Sequence, residues 1–210
     1  MKCSLLASLA TSALALWLVC PIQAADSNSP PFDFAEASKN VPKPRELWPV
    51  IRKHVIPLEF KIVSDKVVNS DTDPAKKLRK VTAHFWSQEL AGKKWGHPCV
   101  IFLPADNTLN QTPARKGKVV IVSSPGGNEW PVHLSKYGEP IATRTGYPTM
   151  VLNNPGEYPD GSLIEHDIRI LGQLAKETGQ NYYNMNCQLA VVYIQAMDAF
   201  QQFLGLDRVQ

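Results

Sequence analysis

Between Ile56 and Ser64, Leu58, Phe60 and Ile62 alternate with charged or polar neighbours, the period-two pattern of a half-exposed strand. Asn69 to Pro74 is a cluster of turn residues. Lys80–Glu89 and Pro98–Leu103 read as two further strands around a turn with two glycines, Ala91-Gly92-Lys93-Lys94-Trp95-Gly96. Together these predict an antiparallel front section. The pattern changes after Gly117. Lys118-Val119-Val120-Ile121-Val122-Ser123 and Pro148-Thr149-Met150-Val151-Leu152-Asn153 are continuous apolar runs, as expected of strands covered on both faces in a parallel sheet. The segment between them, about Pro131 to Thr145, has the length of a crossover, with a weak helical signal.

Two helices are predicted next. Ser162-Leu163-Ile164-Glu165 has the form of a capping box, and Ile164, Ile168, Leu171, Leu174 and Ala175 recur at helical spacing until Gly179. From about Met185 to Leu204, Leu189, Val192, Ala196, Ala199, Phe200 and Phe203 form one face. Val191, Ile194 and Met197 extend it most of the way round, which predicts deep burial. Gly205-Leu206 is a helix stop, and Asp207-Arg208-Val209-Gln210 reads as a step into another strand. The expectation is an α/β domain built up to the point where its next parallel strand should enter. The alternative is a complete small domain with a helical C-terminus.

Composition narrows the class. The 210 residues are 44% hydrophobic and 20% charged, enough to fill a core, so whole-chain disorder is excluded. A net charge of +3 from 22 basic and 19 acidic residues, with no long basic run, does not point to nucleic acid. Met1-Lys2-Cys3-Ser4, the apolar stretch Leu5–Val19 and the small residues of Pro21-Ile22-Gln23-Ala24-Ala25 form the three-part pattern of a secretory signal. The apolar stretch, roughly 15 residues, falls short of the roughly 20 needed to span a bilayer. Residues 1–24 are therefore expected to be a signal peptide cleaved after about Ala24, with a secreted or periplasmic product and no membrane attachment afterwards. Residues 25–50 are expected to be a tail or linker, and 51–210 the folded part. Cleavage removes Lys2, lowering the net charge to +2, and leaves Cys99 and Cys187. They are expected to stay unpaired, one on a strand and one on a helix face. The five histidines show no metal-ligand spacing, so no metal and no cofactor are expected.

One local constellation carries chemistry. Ser123-Ser124-Pro125-Gly126-Gly127-Asn128-Glu129-Trp130 follows directly on a predicted parallel strand, and ligands of open α/β sheets bind at the carboxyl ends of strands. Glycines there let backbone N–H groups face a cleft and stabilise negative charge developing on a carbonyl oxygen; the plain reading is a tight turn. There is no phosphate-binding glycine motif and no G-x-S-x-G elbow. Ser162, Glu165 and Asp167 are explained by helix capping and the helix dipole. Trp95, Trp130 and Tyr158, if exposed, would suit stacking on sugar rings, the mark of a non-catalytic exported module that binds carbohydrate or envelope components; packing under loops is the plainer reading.

Several segments in a shared order resemble the α/β-hydrolase superfamily, and more narrowly the PhoPQ-activated pathogenicity-related family and neighbouring secreted hydrolases. They are Trp86-Ser87-Gln88, Gly92-Lys93-Lys94-Trp95-Gly96-His97, Phe102-Leu103-Pro104, Ser124-Pro125-Gly126-Gly127-Asn128, Asn153-Asn154-Pro155, Ile164-Glu165-His166-Asp167 and Ala196-Met197-Asp198-Ala199-Phe200-Gln201. His166, between two acids, departs from the family pattern. The resemblance implies a three-layer α/β-hydrolase-like fold and a serine hydrolase of the ester-cleaving type acting on a small-molecule ester. Gly126, Gly127 and Asn128 would form the oxyanion hole, with Glu129 and Trp130 lining the substrate. The nucleophile, acid and base would follow Gln210, making this an N-terminal portion that is inactive alone.

Overall fold

The computed structural model describes residues 33, 35, 44–52, 55–105, 117–125, 129–164, 169–179 and 183–206. Residues 42–210 make one unit, and the fold below is that of its described part. The elements run α1 (Pro44–Arg52), β1 (Glu59–Asn69), β2 (Lys77–Leu90), β3 (Lys93–Pro104), β4 (Val120–Ser124), α2 (Glu129–His133), a π-helical turn (Leu134–Gly138), α3 (Glu139–Thr145), β5 (Thr149–Asn153), α4 (Arg169–Thr178) and α5 (Met185–Leu204). The strands form one mixed sheet in the order β1-β2-β3-β5-β4. β1, β2, β3 and β5 pair antiparallel in turn, and β5 and β4 pair parallel. The protein is thus α/β, with antiparallel front strands leading into a parallel pair.

The period of two in β3 and β5 assigns side chains to the two faces. Cys99, Ile101, Leu103, Met150 and Leu152 enter one apolar cluster, with Val192, Ala196, Ala199 and Phe200 of α5. Val100, Phe102 and Val151 enter another on the opposite face, with Ala142 of α3 and, at its margin, Trp130 and Leu134. Helices therefore cover both faces. All five residues of β5 are buried, as its apolar run predicts. β4 departs from that expectation: only Ser124 is buried and the other four residues are half-buried. The reason is position, since among the described residues β4 has a strand partner on one side only.

Three other expectations need correction. The turn predicted over Ala91–Gly96 is the two residues Ala91 and Gly92, both at positive φ (50° and 72°), which is the twist a two-residue hairpin requires. Lys93 to Gly96 continue as strand opposite Trp86–Leu90, and Trp95 is buried. In β1 the alternation breaks. Leu58 and Phe60 pack on the α5 face, but Val68, of the same parity, packs on the α3 face. A bulge between Ile62 and Ser64 inserts one residue and flips the phase beyond it, and Ile62, before the bulge, is 46% exposed. Finally, residues 44–50, expected within a linker, belong to α1, which runs on to Arg52 and whose Ile51 packs against Val191 and Ile194 of α5.

α5 has the predicted bounds. The Asn184 side chain accepts the Cys187 N–H at its start, and Gly205 stops it in the left-handed conformation at φ 62°. Its breadth of apolar surface is used on two sides, against β2, β3 and β5 and against α1. Both cysteines are free thiols. The capping box expected at Ser162 is not its described bond: the Ser162 hydroxyl donates to Asp160 at 2.6 Å, in a turn. Glu165, His166 and Asp167 lie outside the described residues, as do the signal segment and Asp207–Gln210.

Candidate active site at the carboxyl ends of the parallel strands

The parallel pairing of β4 and β5 brings Ser124 opposite Asn153. The Asn154 N–H then donates to the Ser124 carbonyl at 2.9 Å, so the chain leaving β5 is held against the chain leaving β4. This is where the expected Gly-Gly loop departs. Gly126, Gly127 and Asn128 lie outside the described residues. Glu129 opens α2. Trp130, the next residue, is half-buried and packs on the α3-side cluster beside Val122 and Leu134.

Beneath these strand ends runs a buried polar chain. Ser87 of β2 and His97 of β3 are both 0% exposed and meet at 2.7 Å, Oγ to Nε2. His97 Nδ1 lies 2.9 Å from the Asn153 carbonyl. A carbonyl only accepts, so Nδ1 carries the proton, and Nε2 accepts from the Ser87 hydroxyl. Burial depresses the His97 pKa to about 3; the hydrogen bond to Asn153 opposes this and His84 adds to it. The Phe85 ring stacks on the imidazole with centroids 4.9 Å apart. A serine hydroxyl on a neutral, oriented imidazole is the geometry of an activated nucleophile. With neither residue open to solvent, this pair is a strut fixing the end of β5, not a reacting group.

The segment after β5 is fixed equally closely. Gly156 and Gly96 approach so nearly that a Cβ on Gly156 would stand 2.5 Å from the Gly96 carbonyl and 2.6 Å from the His97 ring. At φ 111° the position also demands glycine. Glu157 and Gly96 exchange two backbone hydrogen bonds of 2.8 Å. Two buried carboxamide oxygens here, Asn153 Oδ1 and Asn154 Oδ1, have no hydrogen-bond partner among the described residues. Sequence reasoning missed Ser87 and His97. The signal was present: counting back across the hairpin from Ala91-Gly92 brings Ser87 abreast of Gly96-His97, but the bulge between Trp86 and Gln88 hides the register.

The aromatic residues offered for sugar stacking are placed otherwise. Trp95 and Tyr158 are buried in a cluster with Leu90, Ile164 and Leu171, so they form no platform. Among the described residues no group of three His, Cys, Asp or Glu side chains could hold a metal ion, and no helix is long and apolar enough to cross a membrane. Searches against protein-family models, curated proteins and solved structures found no match for this chain.

Proposed function

We propose that the described sheet is the oxyanion side of an exported α/β-hydrolase-fold protein of the ester-cleaving serine type. The observation that carries the reading is the parallel pair β4–β5 joined to antiparallel front strands, with Ser124 and Asn154 held together where the glycine loop begins. A backbone N–H from such a loop is worth about 3 kcal/mol of barrier when it faces a developing oxyanion. It supplies no nucleophile. Ser87 is sealed, Ser124 is buried within the sheet and the Ser162 hydroxyl is held by Asp160.

The chain alone is therefore expected to resist covalent labelling by a fluorophosphonate. Labelling abolished by Ser123→Ala, Ser124→Ala or Ser162→Ala would sink the reading. A crystal structure provides the positive test, with the Gly127 or Asn128 N–H directed into the space beyond Ser124. If those N–H groups are instead bonded back into the fold, the oxyanion assignment fails.

A further inference from the structure

A cavity of about 460 Å³ opens at the other end of the sheet, between the start of β2, the end of β3 and the last turn of α3. That volume is in the range of small-molecule sites, and the cavity lies at the opposite end of the sheet from Ser124 and Asn153. Lys76, Lys77 and Arg144 line it, and none of its described lining residues is a carboxylate. Cations beside a helix C-terminus often serve only to satisfy its last carbonyls. Here those are already engaged: Ile141 by the Thr145 hydroxyl at 2.6 Å, Ala142 by the Gly146 N–H at 2.9 Å and Thr143 by Lys76 at 3.2 Å. Lys76 is also partly neutralised by Asp73, 3.3 Å away. Among the described residues Lys77 and Arg144 have no such partner.

Thr143 supplies the second observation. It lines the same cavity, is 9% exposed, and its hydroxyl is buried with no partner among the described residues. An unpaired buried hydroxyl is costly, and a donor left beside two uncommitted cations is accounted for by an anionic acceptor. We propose that this cavity binds a small phosphate-bearing molecule, with Arg144 and Lys77 as its charged contacts and the Thr143 hydroxyl as a neutral donor. A phosphate group presents several oxygens and more than one charge, which suits a guanidinium fork combined with ammonium groups.

Pyrophosphate is the probe. Titrated into the isotope-labelled chain, it should shift the backbone amide signals of Lys76, Lys77 and Arg144–Gly146, and calorimetry should give a saturable isotherm that weakens as salt is raised. Lys77→Gln and Arg144→Gln, both changes at exposed side chains, should each weaken binding about tenfold. Thr143→Val should weaken binding without lowering the melting temperature, because the hydroxyl it removes is unpaired. Shifts centred elsewhere, unchanged affinity in the two charge variants, or no saturable binding would overturn the proposal. Citrate binding as tightly as pyrophosphate would overturn the phosphate assignment.

Discussion

His97 shows how one buried side chain couples the fold to pH. Its imidazole is neutral because burial disfavours the charged form, and the native pKa falls to about 3. The unfolded chain takes up a proton near pH 6.5, whereas the native state does so only near its own pKa. The stability held by neutral His97 is thus fully present above pH 6.5 and is lost as pH falls from 6.5 towards 3, at about 1.4 kcal/mol per unit. His84, also lowered by burial and then by Lys61, acts in the same direction. Urea unfolding should therefore show a loss of about 1–2 kcal/mol between pH 6.5 and 5. In nitrogen-detected NMR the His97 ring should keep its Nδ1–H form down to pH 4; a ring that titrates near 6.5 would contradict the strut. The two thiols divide likewise. Burial raises Cys99 to about 12, while Cys187 is partly exposed at the start of α5, its sulfur accepting a bond from Asn184 Nδ2 at 3.3 Å. Alkylation followed by peptide mapping should mark Cys187 in the native protein and Cys99 only after unfolding. Reading the sequence placed Cys99 on a strand and Cys187 on a helix, but the tie of His97 to Ser87 depends on a register no single residue announces.

At the scale of elements, the crossover between β4 and β5 was the hardest to read, for a physical reason. Pro131, Gly138 and Pro140 weaken every helical signal in it. The structure is helical throughout, at the cost of a π turn in which the Glu139 N–H reaches the Leu134 carbonyl, five residues back. Pro140 cannot give the Lys136 carbonyl its α-helical donor, which is where the ladder must change. Gly138 is needed for space: a Cβ there would lie 2.5 Å from the Phe102 ring and 2.8 Å from Val151. Glu139 then closes the turn between β1 and β2, accepting the Ser70 hydroxyl at 2.7 Å and the Thr72 N–H at 3.0 Å. Burial alone would raise its pKa, but these bonds, with the Thr72 hydroxyl and the Asp71 N–H, outweigh it and hold the carboxyl below its usual range. Glu139→Gln should cost about 1–3 kcal/mol by urea unfolding, because it trades charge-assisted bonds for neutral ones. The stability it removes belongs to the ionised form, so the deficit should shrink as pH falls through the carboxylate range; a deficit constant from pH 7 to 3 would exclude this role. The turn itself was legible in Asn69–Pro74, but its anchor, 69 residues further along, was not.

At the scale of the molecule, stability is graded across the sheet. β3 and β5 lie between paired neighbours and send alternate side chains into the clusters under α5 and α3. The all-apolar run of β5 made its burial legible, since a strand covered on both faces has no polar phase to keep. The equally apolar run of β4 misled, because composition does not say whether a strand has one neighbour or two. Opening β4 exposes one ladder and four half-buried side chains, whereas opening β5 breaks two ladders and uncovers Met150, Val151 and Leu152. Local opening follows this difference in buried apolar contact. Hydrogen exchange should therefore find the amides of Ile101, Phe102, Met150 and Val151 slowest, exchanging only through global unfolding. Amides of β4 that face β5 should exchange at least about tenfold faster by sub-global opening, with a weaker dependence on added denaturant. Equal protection of β4 and β5 would mean that the two strands open as one unit, and that β4 is not where this fold gives way first.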